Sequence, residues 1–239
     1  MPMRHSCRAC VIRSRALCRA LPESTLDQIN RISRRRRVAA GRALFSEEEA
    51  ESLVATVLSG VAKVSVSLPD GRTQVVGLHF PSDFVGRPFA NGAPPLTEAA
   101  TDVELCCFER TRFEALLAEH KGLEELLVRQ MTTELDAARE WMLLLGHKTA
   151  EERLASLILL CLDRLEPANC SGPSELAEAR FDLPLSRTEM AQYLGLTIET
   201  VSRMLKRLST DGIIAIEAGR GIRVLERSEL ERRAEASRP

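Results

Sequence analysis

The apolar positions along the chain change period twice. Leu26, Ile29 and Ile32 recur at helical spacing, which predicts a short helix from Thr25 to Ile32 with Ser24 or Thr25 as its cap. Short apolar runs separated by turn residues follow. Leu44–Phe45, Ser52 to Leu58, the alternating Val61 to Val66, Gln74 to Phe80 and Asp102 to Phe108 are broken by Gly41, Ser59–Gly60, Pro69–Asp70–Gly71 and Pro81–Ser82–Asp83. Many short strands with such turns predict a small antiparallel barrel or roll, taken as a β-roll of jelly-roll type. The run Arg34 to Arg37 reads as the solvated edge of that roll. Helical period takes over after Arg112. Val128, Met131, Leu135, Ala138, Met142 and Leu145 step by three and four, a heptad seam. A helix packed inside one chain carries a wider stripe, so this seam predicts a parallel homodimer contact.

Gly146 to Thr149 breaks the seam. Thr149–Ala150–Glu151–Glu152 reads as a capping box that starts a new helix, with Leu154, Leu157, Ile158, Cys161, Leu162 and Leu165 on its buried face. A loop is expected over Pro167 to Ser174. Ser186 then caps a helix that ends near Tyr193, Gly195 makes the turn, and Thr197 caps a second helix. In that helix Ile198, Val201, Leu205 and Leu208 form the expected buried side, and Glu199, Ser202, Arg203 and Lys206 the opposite one. Ala191, four residues before the glycine, and Val201, six after it, let two helices cross closely, as in a helix-turn-helix. Asp211–Gly212, Ile213 to Ile216, Gly219–Arg220–Gly221 and Ile222 to Leu225 predict a two-stranded wing, with Arg220 at its tip. An exposed face of Glu, Ser, Arg and Lys suits base edges in a major groove. Lys206, Arg207 and Arg187 suit phosphates.

Composition narrows the classes. The 239 residues are 44% hydrophobic and 28% charged, with 33 basic against 34 acidic side chains. This describes a globular chain of one to two domains with no strong net field, and excludes disordered and disulfide-framework classes. No apolar run is long enough for a membrane span and the first 20 residues hold no apolar leader core, so a cytoplasmic protein with no membrane partner is expected. Residues 180–239 carry 11 basic and 9 acidic side chains, a mild bias that makes DNA attraction a matter of arrangement. No nucleophile–base pair is apparent, so no catalytic residue is assigned.

Seven cysteines are the unusual feature. Cys7, Cys10 and Cys18 have the spacing C-x2-C-x7-C on the N-terminal arm, and Cys106 or Cys107 is the available fourth thiol. Such a set suits a zinc site or an iron–sulfur cluster. Cys161 lies on a buried helix face and reads as a packed thiol.

The order of roll, long helix and winged helix-turn-helix resembles that of the CRP/FNR superfamily of bacterial transcription regulators, and within it the oxygen-sensing fumarate–nitrate reduction type. The resemblance rests on Cys7-x2-Cys10-x7-Cys18, on Gly77–Leu78–His79 to Asp83–Phe84–Val85–Gly86, on Thr149–Ala150–Glu151–Glu152–Arg153–Leu154, and on Tyr193 to Arg203. It implies an α+β chain in four parts: a cysteine arm over 1–20, a β-roll over 21–118, a dimerisation helix over 119–148 and a winged helix-turn-helix over 149–239. It implies a [4Fe–4S] cluster on Cys7, Cys10, Cys18 and Cys106, with Cys106 aligning with the family's cysteine. It also implies an oxygen-responsive regulator, mainly an activator, of anaerobic or microaerobic genes. DNA reading falls to Glu199, Ser202 and Arg203, with Lys206, Arg187 and Thr197 around them, on inverted repeats of TTGAT-like half-sites. RNA polymerase is the implied second partner, touched by roll loops such as Asp70 to Arg72. The same fold with zinc, heme or nitric-oxide, or thiol-redox sensing is the alternative. Two departures stand out. The seven-residue gap before Cys18 is longer than in the enteric type, and Ala138 stands where some members carry an acidic residue that opposes association. The Gly-Glu and Arg-Ser/Thr pairs that hold a cyclic phosphate are missing between Gly86 and Glu98, so no cyclic nucleotide is expected.

Overall fold

The computed structural model describes residues 7–90, 92, 95–165 and 179–235. The loop expected over Pro167 to Ser174, with Cys170, lies outside them. In chain order the elements are α1 (Glu23–Ile32), β1 (Ser33–Val38), α2 (Glu47–Ser52), β2 (Leu53–Ser59), β3 (Ala62–Ser67), β4 (Thr73–His79), β5 (Phe84–Val85), β6 (Leu96–Ala99), β7 (Val103–Glu109), α3 (Arg110–Glu119), α4 (Lys121–His147), α5 (Ala150–Leu165), β8 (Ala179–Asp182), α6 (Arg187–Leu194), α7 (Ile198–Thr210), β9 (Ile214–Ile216), β10 (Gly221–Val224) and α8 (Arg227–Glu235). Two single 3-10 turns, Cys7–Ala9 and Leu17–Ala20, order the arm ahead of them.

The chain divides into two compact units: one division falls inside α4, between Ala137 and Ala138, and residues 67–75 group with the second unit. The first unit is the roll with its arm. One sheet runs β1-β7-β2-β5 and the other β4-β3-β6, with β1 on an edge as the arginine run predicts. Side chains on a strand alternate between faces, and the register makes this decisive. Cys107 stands opposite Arg34 and Ala55, whereas Cys106 stands opposite Arg35 and Thr56. One face, with Leu105, Cys107, Ala55 and Val57, joins Ala62 and Ala99 of the second sheet in a core. The other face, with Phe108 and Val54, joins α1, α3 and the start of α4 in a separate core. That second core holds Leu17 and Leu21 of the arm, Leu26 and Ile29 of α1, and Leu123 and Leu127 of α4, all buried. Phe113 of α3 stacks on Phe84 at 5.1 Å and meets Phe108 at 5.6 Å.

The second unit is built on α5, whose Leu154, Leu157, Ile158, Cys161 and Leu162 are buried as its periodicity predicts. Thr149 and Glu152 make the expected capping box, Glu152 Oε2 accepting from the Thr149 N–H at 2.7 Å and Thr149 Oγ1 from the Glu152 N–H at 3.4 Å. The wing has three strands, β8-β10-β9, one more than expected. Arg233 of α8 ties the unit together, meeting Glu151 of α5, Asp211 after α7 at 2.9 Å and Glu229 at 3.0 Å. These acids hold its guanidinium firmly in the charged form.

Two local expectations are corrected, and one helix is added. The first helix starts at Glu23, behind Pro22, and neither Ser24 nor Thr25 caps it, because the proline already sets the extended backbone that a cap needs. A capped helix, α2, precedes β2, its Ser46 and Glu49 forming a capping box. Ile198 is 43% exposed, because it opens α7 before the helix has turned onto its neighbours.

Gly60 marks the tightest turn of the roll. Its φ is +78°, and a Cβ there would lie 2.1 Å from the Asp102 carbonyl oxygen. Gly60→Ala is therefore expected to destabilise the protein by about 3 kcal/mol or more in urea unfolding. Gly71→Ala, with φ +86° but open space around it, is expected to cost only about 1 kcal/mol. Equal effects would show that backbone conformation alone, and not the close approach, constrains Gly60.

Candidate DNA-reading and thiol sites

The helix-turn-helix is assembled by caps. Ser186 accepts from the Glu189 N–H at 3.3 Å while Glu189 accepts from the Ser186 N–H at 2.7 Å. Gly195 ends α6 in the left-handed region, φ 62° and ψ 41°, where glycine is cheap. Thr197 starts α7 by accepting from the Thr200 N–H at 3.2 Å. Val201, Leu205 and Leu208 anchor α7. Glu199, Ser202, Arg203 and Lys206 are exposed on its opposite side. Glu199 is held below the usual carboxylate range by its own backbone N–H and by Thr197, so it is a ready acceptor at neutral pH. Thr197 thus has a structural task in setting the helix start.

The basic residues around this face divide. Arg187 opens α6, half-buried, and one of its guanidinium nitrogens is enclosed without a hydrogen-bond partner. Arg207, expected at phosphates, pairs with Glu151 at 3.0 Å. Arg220, at the wing tip, donates to the Pro184 carbonyl at 2.9 Å. Both are engaged within the domain, because acceptors of α5 and of the strand-to-α6 turn lie within reach.

A feature that periodicity does not show fixes the turn itself. Arg153 of α5 donates to three carbonyls: Lys148 at 2.9 Å, Leu145 at 2.7 Å and Leu194 at 2.9 Å. One planar guanidinium thus satisfies the end of α4 and the last turn of α6 together. Trp141 of α4 adds a donor to the Tyr193 carbonyl at 3.3 Å and packs on the Tyr193 ring at 5.9 Å. The available sequence signal was an arginine among helix residues otherwise read for their apolar face.

On α4, Val128, Met131, Leu135 and Met142 are 44–59% exposed, an unpartnered apolar row for a single chain. Ala138 is exposed between them, and Leu145 is half-buried, its Cδ2 3.5 Å from where a Gly195 side chain would start.

The thiols of the arm meet β7. Cys7, Cys18 and Cys106 border the core that holds Leu17 and Leu123, and Cys10 and Cys106 border a small cluster of Ile12, Ala16 and Leu58. All four are half-buried. Cys7 Sγ donates to Asn30 Oδ1 at 3.6 Å, and Arg8 and Arg13 pair with Asp27 at 3.3 Å and Glu23 at 3.9 Å. Burial pushes Cys18 up to about 12 and raises Cys106 further, and in both the other arm thiols add to the rise. Cys107, on the opposite face of the strand, is pushed up to about 11 by burial and relieved by Arg36. Cys161 is raised to about 12 by burial alone, as a packed thiol should be.

Fold and caps together define a two-part regulator with a DNA-reading module. Residues 152–233 match the Crp-like helix-turn-helix domain and residues 35–120 the cyclic nucleotide-binding domain. A probable transcriptional activator of Rhizobium leguminosarum bv. viciae is 44% identical over 95% of this chain and 92% of its own. The transcriptional activator protein FnrL of Cereibacter sphaeroides is 42% identical over 93% and 89%. The solved structure of FixK2 from Bradyrhizobium japonicum superposes with a TM-score of 0.74 at 31% identity, covering 87% of this chain and all of that one. The chain belongs to the CRP/FNR family of transcription regulators. It is a DNA-binding transcriptional activator by type and not an enzyme. No helix among the described residues is long and apolar enough to cross a membrane.

Replacing Arg153 by Met keeps the stem and removes three charge-assisted donors. It is expected to lower the unfolding free energy by about 2–4 kcal/mol and to weaken DNA binding without changing half-site preference. Wild-type stability in Arg153→Met would show that the three carbonyls find other donors.

Proposed function

We propose that this protein is an oxygen-responsive activator whose N-terminal arm and β7 hold a [4Fe–4S] cluster through Cys7, Cys10, Cys18 and Cys106. The observation that carries the reading is the phase of β7. It turns Cys106 toward the three arm thiols and Cys107 into the roll core. Among the described residues no three Cys, His, Asp or Glu side chains converge on a single ion position. An all-thiol donor set is of the kind that holds a [4Fe–4S] cluster, and metal content separates it from a zinc site of the same ligands. Burial raises the Cys7, Cys18 and Cys106 thiols, so uptake of a cationic centre would release their protons.

When bound, the cluster supplies a centre that oxygen can oxidise. The chain's own residues do the rest. Leu17 and Leu21 flank Cys18 and pack with Leu123 and Leu127 of α4, so an arm held down by its thiols supports the start of the helix whose exposed row follows at Val128. That row pairs two copies. Arm docking therefore favours the dimer, and a dimer presents two α7 helices to an inverted repeat of TTGAT-like half-sites. Glu199, Ser202 and Arg203 read base edges, while Lys206 and Arg187 meet phosphates. Hairpin residues 70–72 touch RNA polymerase, and no cyclic nucleotide takes part, because the roll lacks the paired phosphate-holding residues. The cytoplasm is the compartment of such a regulator.

Two experiments test this. Anaerobically purified Cys107→Ser should keep wild-type visible absorption and about four irons and four sulfides per chain, whereas Cys106→Ser should lose both. The reverse pattern, or colourless wild-type protein with one zinc, overturns the assignment. Leu135→Asp places a charge in the dimer row and should leave the anaerobic protein monomeric, with at least tenfold weaker binding to the full inverted repeat. Unchanged dimerisation would move the interface off this face.

A further inference from the structure

The geometry points to a second ligand site, separate from Cys7, Cys10, Cys18 and Cys106, that binds a small polyphosphate on the roll. At the end of the first sheet a cleft of about 440 Å³ opens where β1 begins and β7 ends. Its polar lining is dominated by Arg31 from α1, Arg34, Arg35 and Arg36 from β1, and Arg112 from α3, with Glu109 as the single acid. Ile32, Leu53, Cys107 and Phe108 form the wall between them.

An edge strand gains protection from arginines, and that accounts for a basic β1. It does not account for arginines of two helices turned into the same cleft. The ion pairs sharpen the point. Arg36 is matched by Glu49 at 2.5 Å, Arg35 by Glu104 at 3.4 Å, and Arg112 by Glu109 at 2.8 Å. Arg31 and Arg34 have no carboxylate partner among the described residues. Two unmatched guanidiniums in one concavity repel each other, and a bound anion would offset that repulsion. Guanidinium forks match phosphate oxygens in pairs. The volume lies in the range of small-molecule sites, and the apolar walls offer a place for an organic group beside the phosphates. The ligand class is therefore a molecule with two or more linked phosphates, either bare or carried on a nucleoside.

Calorimetric titration of the full-length protein with ATP and with inorganic tripolyphosphate tests this at fixed salt. Saturable binding at one site per chain is expected. Arg31→Glu with Arg34→Glu should weaken it at least tenfold, and Arg34→Gln alone, the milder change, about threefold. Arg37→Glu, exposed further along the same strand and outside the cleft lining, and Arg203→Ala, on the DNA-reading helix, should each change it less than twofold. Tighter binding of ATP identifies a nucleotide, and equal affinity identifies the phosphate chain alone; both support the site. No saturable binding of either probe overturns it. So does an equal loss in Arg37→Glu or Arg203→Ala, which would mean that anions bind the protein's basic surface at large.

Discussion

Alternation along β7 is the constraint on which the rest of the roll and its arm depend. Consecutive side chains of Leu105, Cys106, Cys107 and Phe108 must point to opposite faces, and each face has its own core. A slip of one residue would place Phe108 between the sheets and turn Cys107 and Leu105 onto the arm side, taking Cys106 away from it. The two apolar cores lock the phase, and the phase selects the thiol. In the proposed function, the role of Cys106 is thus set by packing at its neighbours.

The same logic extends into α4. Its first turns are buried with the arm through Leu123 and Leu127, its middle leaves Val128, Met131 and Leu135 exposed, and its last turns are gripped by Arg153 and Trp141 beside α6. One continuous helix therefore carries three different obligations in sequence. Each is met by a different chemistry: apolar burial, an unpartnered apolar row, and charge-assisted bonds to helix-end carbonyls. In the proposed mechanism this rod links the arm to the association of two copies.

Much of this was legible along the chain. The helix-turn-helix appears in sequence because its spacing is local: Ser186, Gly195 and Thr197 are caps and turns that act over three or four residues. The heptad row appears because its period is strict. What was hidden depends on partners far away. β8 is four residues with no strong pattern, and it becomes a strand only by pairing with β10 some forty residues later. The thiol choice was hidden because all four residues from Leu105 to Phe108 are apolar, so no polar alternation betrays the strand's phase. Arg207, a candidate phosphate ligand in the sequence, has Glu151 beside it, and Arg220 at the wing tip donates to the Pro184 carbonyl, neither of which local spacing shows. Charge in a sequence shows what can bind an anion, and the fold decides which charges are already engaged.

The central claim is that occupancy of the four-thiol site controls pairing of the α4 rows. Sedimentation of anaerobically prepared protein, followed through stepwise addition of air while visible absorption is recorded, tests it most directly. The account predicts a dimer that dissociates to monomer in proportion to the bleaching, and a Cys106→Ser protein that is monomeric from the start. A chain that stays dimeric after complete bleaching, or a Cys106→Ser protein that dimerises as wild type does, would contradict it.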